Sequence, residues 1–130
     1  MNKDLSVILD ANFLMIPELE GVDIFKEFDR ILDVKYELLV PKVVIGELEH
    51  IRKTGNSSES TAASVALKMA EDLKKVESEK PADDEIVRLA KETYSAVGTN
   101  DKELKKRLRG SEIPVIYLRQ KSYLDIDGNI

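Results

Sequence analysis

Apolar residues fall along this chain in short clusters whose spacing switches between strand and helix periods. Leu5-Ser6-Val7-Ile8-Leu9 is a largely apolar run with β-branched members, ending at Asp10; it predicts a buried strand. Between Gly21 and Asp33, the positions Val22, Phe25, Phe28 and Leu32 recur at helical spacing and predict an amphipathic helix. Leu38 to Val40 predicts a second strand, closed by Pro41. Proline suits a first helical turn, and Lys42 to Lys53 continues as a helix with Val44, Leu48 and Ile51 on one stripe. Thr54 to Ser60 has the composition of a polar loop. Thr61 to Ser78 is rich in Ala, Leu, Met, Glu and Lys and predicts a further helix. Pro81 breaks the chain, and Asp83 to Lys91 forms the next helix. Thr93 to Val97 predicts a third strand ended by Gly98. Asp101 to Arg109 predicts a helix stopped by Gly110, and Val115 to Leu118, just after Pro114, a fourth strand. Asp127-Gly128 is a turn signal able to fold a last short strand back.

Strands alternating with helices imply parallel βα units, hence a three-layer α/β/α sandwich around a central, mainly parallel sheet. A chain of 130 residues with no internal repeat or long linker suits a single domain over 1–130. Its 42% hydrophobic and 35% charged content is that of a globular chain rather than a disordered one. No apolar run approaches the roughly 20 residues of a membrane helix, and no signal-peptide pattern opens the chain. The expectation is a cytoplasmic protein with no membrane partner.

Composition then narrows the chemistry. There is no cysteine, which excludes disulfides, thiolate catalysis and cysteine-based zinc sites. The single histidine, His50, excludes a His-rich metal centre within one chain. Carboxylates remain, and these suit hard cations bound through oxygen. The net charge of −5 speaks mildly against a nucleic-acid partner. The charge is uneven, however. From Gly98 to Leu124, seven basic residues stand against three acids, a net of +4, so the remainder carries −9. A basic C-terminal third leaves phosphate binding open, although a charge run is more often a solvated helix face.

Four of the 25 acids stand out by position. In an open parallel sheet, ligands bind beyond the carboxyl ends of the strands. Asp10 ends the first predicted strand, Glu47 lies early in the helix after the second, and Asp101 opens the helix after the third. Asp83 opens a helix that leads into the third strand and so must begin at the same edge. Helical phase puts Glu47 at the border of the Val44, Leu48 and Ile51 stripe and Glu49 on the far side. Asp83 shares the face of Ile86, Val87 and Ala90, whereas Asp84 turns towards solvent. A lone acid in such a place is often only a helix cap; four converging on one rim form a candidate site for Mg²⁺ or Mn²⁺. Such a site can activate water against a phosphodiester without any histidine.

The motifs that carry these acids resemble those of PIN domains. Val7-Ile8-Leu9-Asp10-Ala11-Asn12 resembles the family's opening strand and D-[TA]-[NS] block, and Val40 to Glu49 (V-P-K-V-V-I-G-E-L-E) the second block, with its acid at Glu47. Ala82-Asp83-Asp84-Glu85-Ile86-Val87 resembles the third, and Gly98-Thr99-Asn100-Asp101-Lys102-Glu103-Leu104 the fourth. The resemblance runs from Leu5 to about Tyr123, and within the family is nearest to archaeal single-domain members similar to eukaryotic pre-ribosomal RNA-processing PIN proteins. It implies a metal-dependent endoribonuclease whose catalytic and metal-binding residues are Asp10, Glu47, Asp83 and Asp101, leaving 5′-phosphate and 3′-hydroxyl ends. It also implies RNA and a divalent metal as partners, and a homodimer as a family expectation. Asn12 and Thr99 or Asn100 would be polar supports, and Asp84 a holder of a metal-bound water. Lys102, Lys105, Lys106, Arg107, Arg109 and Arg119 are candidates for phosphate contact, and Arg119 and Lys121 lie closest to the predicted rim. His50 reads as a surface or helix-packing residue.

Rival readings are a non-catalytic RNA- or protein-binding scaffold in ribosome assembly, and a toxin ribonuclease requiring an antitoxin. Haloacid-dehalogenase-like phosphatases need a second Asp two residues after the first, where this chain has Asn12. Receiver domains need a phosphoacceptor Asp ending the third strand, where this chain has Val97-Gly98.

Overall fold

The computed structural model describes residues 4–79 and 81–130. Chain order is β1 (Leu5–Leu9), α1 (Ala11–Leu14), α2 (Ile16–Glu20), α3 (Ile24–Ile31), β2 (Tyr36–Pro41), α4 (Lys42–Thr54), α5 (Ser57–Ala70), β3 (Lys74–Val76), α6 (Ala82–Thr93), β4 (Ala96–Gly98), α7 (Lys102–Gly110), β5 (Val115–Arg119) and β6 (Tyr123–Asp127). The strands form one sheet in the order β3-β2-β1-β4-β5-β6. Every pairing is parallel except the antiparallel β5–β6 edge.

That order winds outward from β1 in two directions. Right-handed crossovers therefore put α1 to α5 on one face and α6 and α7 on the other. Packing agrees, since α5 lies on α4 and α2, while α6 lies on α7, β1 and β4. Central strands covered on both faces read as continuous apolar runs. Accordingly, Val7, Ile8, Leu9, Val97, Val115 and Ile116 are fully buried. Phe13 and Phe28 meet at 5.8 Å between ring centres beneath the first helical layer. The β6 edge is covered by α3: Leu124 N donates to Glu27 Oε1 at 2.9 Å, and Arg30 Nη2 donates to the Leu124 carbonyl at 2.8 Å.

Several elements differ from the sequence expectation, each for a local or tertiary reason. The polar stretch 54–60 is mostly helix. Asn56 Oδ1 accepts from Glu59 N at 2.9 Å and Asn56 N donates to Glu59 Oε1 at 3.0 Å, a capping box that starts α5 at Ser57. The same helix stops at Ala70 instead of reaching Ser78. Lys75 Nζ donates to the carbonyls of Ala70, Glu71 and Leu73, closing the helix end, and Lys74 to Val76 pair with Leu39 to Pro41 as an edge strand. Edge strands tolerate exposed lysines because these discourage further pairing, which is why β3 lacks a strand-like composition. The predicted third strand is partly helix: α6 runs to Thr93, Tyr94 caps it at φ 51°, and β4 begins at Ala96. The first predicted helix starts at Ile24, because Asp23 Oδ1 caps the amides of Phe25 and Lys26. Ahead of it stand α1 and α2, too short to show a period. Finally, the last hairpin turns at Gln120-Lys121, both at positive φ (53° and 55°) as an inverse turn of type I′ requires, and not at Asp127-Gly128, which lies beyond β6.

Candidate active site

The two winding directions part between β1 and β4, and at their carboxyl ends a doubly wound sheet opens its ligand crevice. Asp10 follows β1 there and Thr99 follows β4. Asp10 N donates to the Gly98 carbonyl at 3.1 Å, holding the two strand ends together. The Asp10 side chain is only 6% exposed. Its Oδ1 accepts from Ala11 N at 2.6 Å, capping α1, and its Oδ2 accepts from the Thr99 hydroxyl at 2.7 Å. Thr99 Oγ1 in turn accepts from Asp101 N at 3.1 Å. Asp101 caps α7, with Oδ1 accepting from Glu103 N at 2.9 Å and Leu104 N at 3.1 Å. A chain Asp10–Thr99–Asp101 thus spans the junction.

Glu47 and Asp83 complete the rim from α4 and from the first turn of α6. Neither carboxylate is hydrogen-bonded or ion-paired to a described residue. Their environment is unfavourable to charge. Burial pushes the Asp10 carboxyl up from its ordinary range, the Thr99 and Ala11 hydrogen bonds pull it back, and the charges of Asp83 and Asp101 add to the rise. Partial desolvation raises Glu47, though it reaches the surface, and the charges of Asp10 and Asp83 raise it further. Asp83, half-buried, is raised by desolvation and by Asp101, with Arg107 opposing. The α6 N-terminus favours an ionised Asp83, but burial and neighbouring charge outweigh it. Asp84, one residue on, is exposed, and its charge adds to the rise of Asp83.

These are four acids within mutual electrostatic reach and with only hard oxygen donors. Among the described residues, no three of them converge closely enough to grip one ion directly. The donor set still fits Mg²⁺ or Mn²⁺, because such ions keep several waters and use only one or two carboxylates. His50 lies one helical turn beyond Glu47.

A family profile described as "PIN like domain" matches residues 7–121. The chain belongs to this PIN-like family. Across 95% of this PIN-like chain and 98% of the relative, it is 34% identical over 128 residues to ribonuclease VapC4 of Methanocaldococcus jannaschii. It is 31% identical to ribonuclease VapC9 of Archaeoglobus fulgidus over 92% of this chain and 87% of the relative. Among solved structures, the PIN domain endonuclease Utp24 superposes with a TM-score of 0.79 at 26% identity, covering 96% of this chain and 92% of that one. A domain of a functionally unknown Methanocaldococcus jannaschii protein shares the fold, with a TM-score of 0.58 at 18% identity.

Around the rim of this PIN-like fold, the structure separates the supporting side chains that the sequence named. Thr99, not Asn100, bonds to Asp10; Asn100 Oδ1 instead accepts from Leu118 N at 2.8 Å, tying β4's end to β5. Asn12 is exposed on α1. Asp84 is engaged by Arg107 at 2.8 Å, an ion pair between α6 and α7. Arg119, expected nearest the rim, is taken by Asp125 across the β5–β6 hairpin at 2.8 Å. Lys105 lies 3.7 Å above the Tyr117 ring, and it and Arg109 pair with Asp127. Arg107, whose charge opposes the rise of Asp83, is thus a basic side chain acting on a candidate acid. Sequence spacing hid this, because Arg107 lies in the second turn of α7 and its partner Asp84 in the first turn of α6, 23 residues away. Among the described residues, no helix is long and apolar enough to cross a membrane.

Proposed function

We propose that this chain is a divalent-metal-dependent endoribonuclease, with Asp10, Glu47, Asp83 and Asp101 as its catalytic and metal-binding carboxylates. The observation that carries this reading is the gathering of these acids around the carboxyl ends of β1 and β4, where burial and neighbouring charge raise three of them. Folding spends stability to hold like charges together, and a cation restores it. A divalent ion, when bound, polarises the scissile phosphate and lowers the pKa of attacking water. The two curated relatives named ribonucleases and the solved PIN domain endonuclease support RNA as substrate and cleavage as the reaction.

The chain's own residues then have separable tasks. Asp10, oriented from both sides by Ala11 N and Thr99, is the rigid donor. Asp101 commits Oδ1 to the α7 cap, which leaves Oδ2 for a ligand. Glu47 and Asp83, with no hydrogen bond to a described residue, are the carboxylates left to take up ligand, orient a water or accept a proton. Arg107 meets phosphate at the edge of the cluster.

The test is cleavage of end-labelled RNA in Mn²⁺, Mg²⁺ or EDTA, beside an Asp10→Asn variant prepared identically and checked for fold by circular dichroism. The reading expects cleavage that needs metal, leaves 5′-phosphate ends and vanishes in the variant. Equal cleavage by Asp10→Asn would sink it. Binding of RNA without cleavage in any metal would move the assignment to a scaffold.

A further inference from the structure

Beside the carboxylate cluster lies a recess of about 520 Å³ between α4 and the start of α6, lined by Val43, Gly46, Glu47, His50, Pro81 and Ala82. It is continuous with the cluster, because Glu47 belongs to both. We propose that this recess is a nucleobase subsite, receiving an unstacked base of single-stranded RNA next to the scissile phosphate. The inference rests on the reading of the adjoining acids as an RNA-cleaving site.

Three features argue for a flat, neutral occupant. The first is Gly46. It sits inside α4, where glycine weakens a helix relative to alanine. Nothing in the fold demands it there: its backbone is helical, and a Cβ built on it meets no atom within 4 Å. The missing side chain opens onto the recess. A residue that costs helix stability and serves no packing is explained by the space it leaves.

The second feature is the walls. His50 and Pro81 are among the lining residues and bring an imidazole and a pyrrolidine ring to that space, and unpaired bases bind proteins by stacking on such rings. The third is charge. With Glu47 at its mouth and Asp10 and Asp83 beyond, the recess repels a phosphate lacking a cation but tolerates an uncharged base. The backbone phosphate then falls towards the carboxylates while its base is held aside.

The walls are also held in place. Ser78 Oγ accepts from Val43 N at 3.0 Å, Lys42 pairs with Glu77, and Glu79 N donates to Glu85 Oε2 at 2.8 Å. These contacts fix residues 77–79 against α4 and α6. A preformed cleft of this size is typical of small-ligand sites.

The experiment is fluorescence anisotropy of a short labelled single-stranded RNA in Ca²⁺, with the RNA checked on a gel as uncut. A set of the same RNAs carries one abasic nucleotide at each position in turn. Wild type should lose about tenfold in affinity at one position, the expected scale for one stacked base. Gly46→Leu, which fills the recess, should weaken the intact RNA about equally and lose no more on that abasic RNA, with a Tm no lower than wild type. Should Gly46→Leu misfold, His50→Ala, whose side chain is exposed, should reproduce the selective loss. The proposal is overturned if wild type binds no RNA, if every abasic position matters equally, or if a folded Gly46→Leu binds like wild type. Position-selective binding without cleavage in any metal would remove the nuclease reading and leave the subsite standing. Cleavage with binding indifferent to Gly46→Leu would do the reverse.

Discussion

The Thr99 hydroxyl donates a 2.7 Å hydrogen bond to Asp10 Oδ2 across the junction of β1 and β4, between residues 89 apart in sequence. The same oxygen accepts from Asp101 N, so one buried hydroxyl positions two candidate ligands. A hydrogen bond to an ionised partner is worth about 1.5–3 kcal/mol. Thr99→Val keeps the shape and removes it, and should lower stability by about 1.5–3 kcal/mol in urea denaturation. Because the bond favours the charged form of Asp10, its loss raises that carboxyl further. The acid limb of the pH–cleavage profile should therefore move to higher pH, and Thr99→Ser should restore it. An unmoved acid limb in a folded Thr99→Val would deny Thr99 this role.

Glu47 and Asp83 give a test of repulsion without loss of hydrogen bonds. Both carboxyls are raised, so the metal-free folded state binds protons that the unfolded chain, near pKa 4, releases. Where the folded state holds more protons, stability falls as pH rises. Tm in EDTA should accordingly decline as pH climbs from about 4 through the raised values. Glu47→Gln and Asp83→Asn should each blunt that decline and raise Tm at neutral pH.

Adding Mg²⁺ or Mn²⁺ should act in the same direction, since binding to the folded state alone stabilises it by mass action. Wild-type Tm should rise with cation at pH 7 and little at pH 4, where protons already quench the repulsion. Calorimetry showing no cation effect at pH 7 would contradict a metal role for the cluster.

Arg107 and Asp84 form a pair whose side chains are 47% and 60% exposed. Exposed pairs contribute about 0–1 kcal/mol, so both Arg107→Ala and Asp84→Asn should leave stability nearly unchanged. Their effects on RNA should be opposite. Losing Arg107 removes a phosphate contact and should raise KM severalfold with kcat little altered, whereas losing Asp84 frees the guanidinium and should lower KM. Effects of equal sign would reduce the pair to a structural tie between α6 and α7.

Gly46→Ala isolates helix propensity from the recess. It should stabilise the protein by about 0.5–1 kcal/mol, because a Cβ there meets nothing within 4 Å. A destabilised variant, measured by thermal unfolding, would mean that the fold itself requires glycine at this position.

Local signals in the sequence were enough for the βα alternation and for the edge on which the acids lie. The apolar run Leu5–Leu9, the stripe through Val44 and Leu48, and the Asp101 cap before α7 all act over one or two turns, and each appears in the structure close to its expected bounds. Helical phase likewise separated Asp83, half-buried, from the exposed Asp84. What the sequence could not determine depends on partners far along the chain. β3 is a strand because β2 offers it an unpaired edge, not because Lys74-Lys75-Val76 prefers extension. Thr99 rather than Asn100 meets Asp10, and Arg107 rather than Arg119 reaches the acids, because β4 and β5 settle beside β1 in a register that only the packed sheet sets. Periodicity reports which face of an element is buried; it says nothing of which distant side chain will stand opposite, and the charge balance of the rim is decided there.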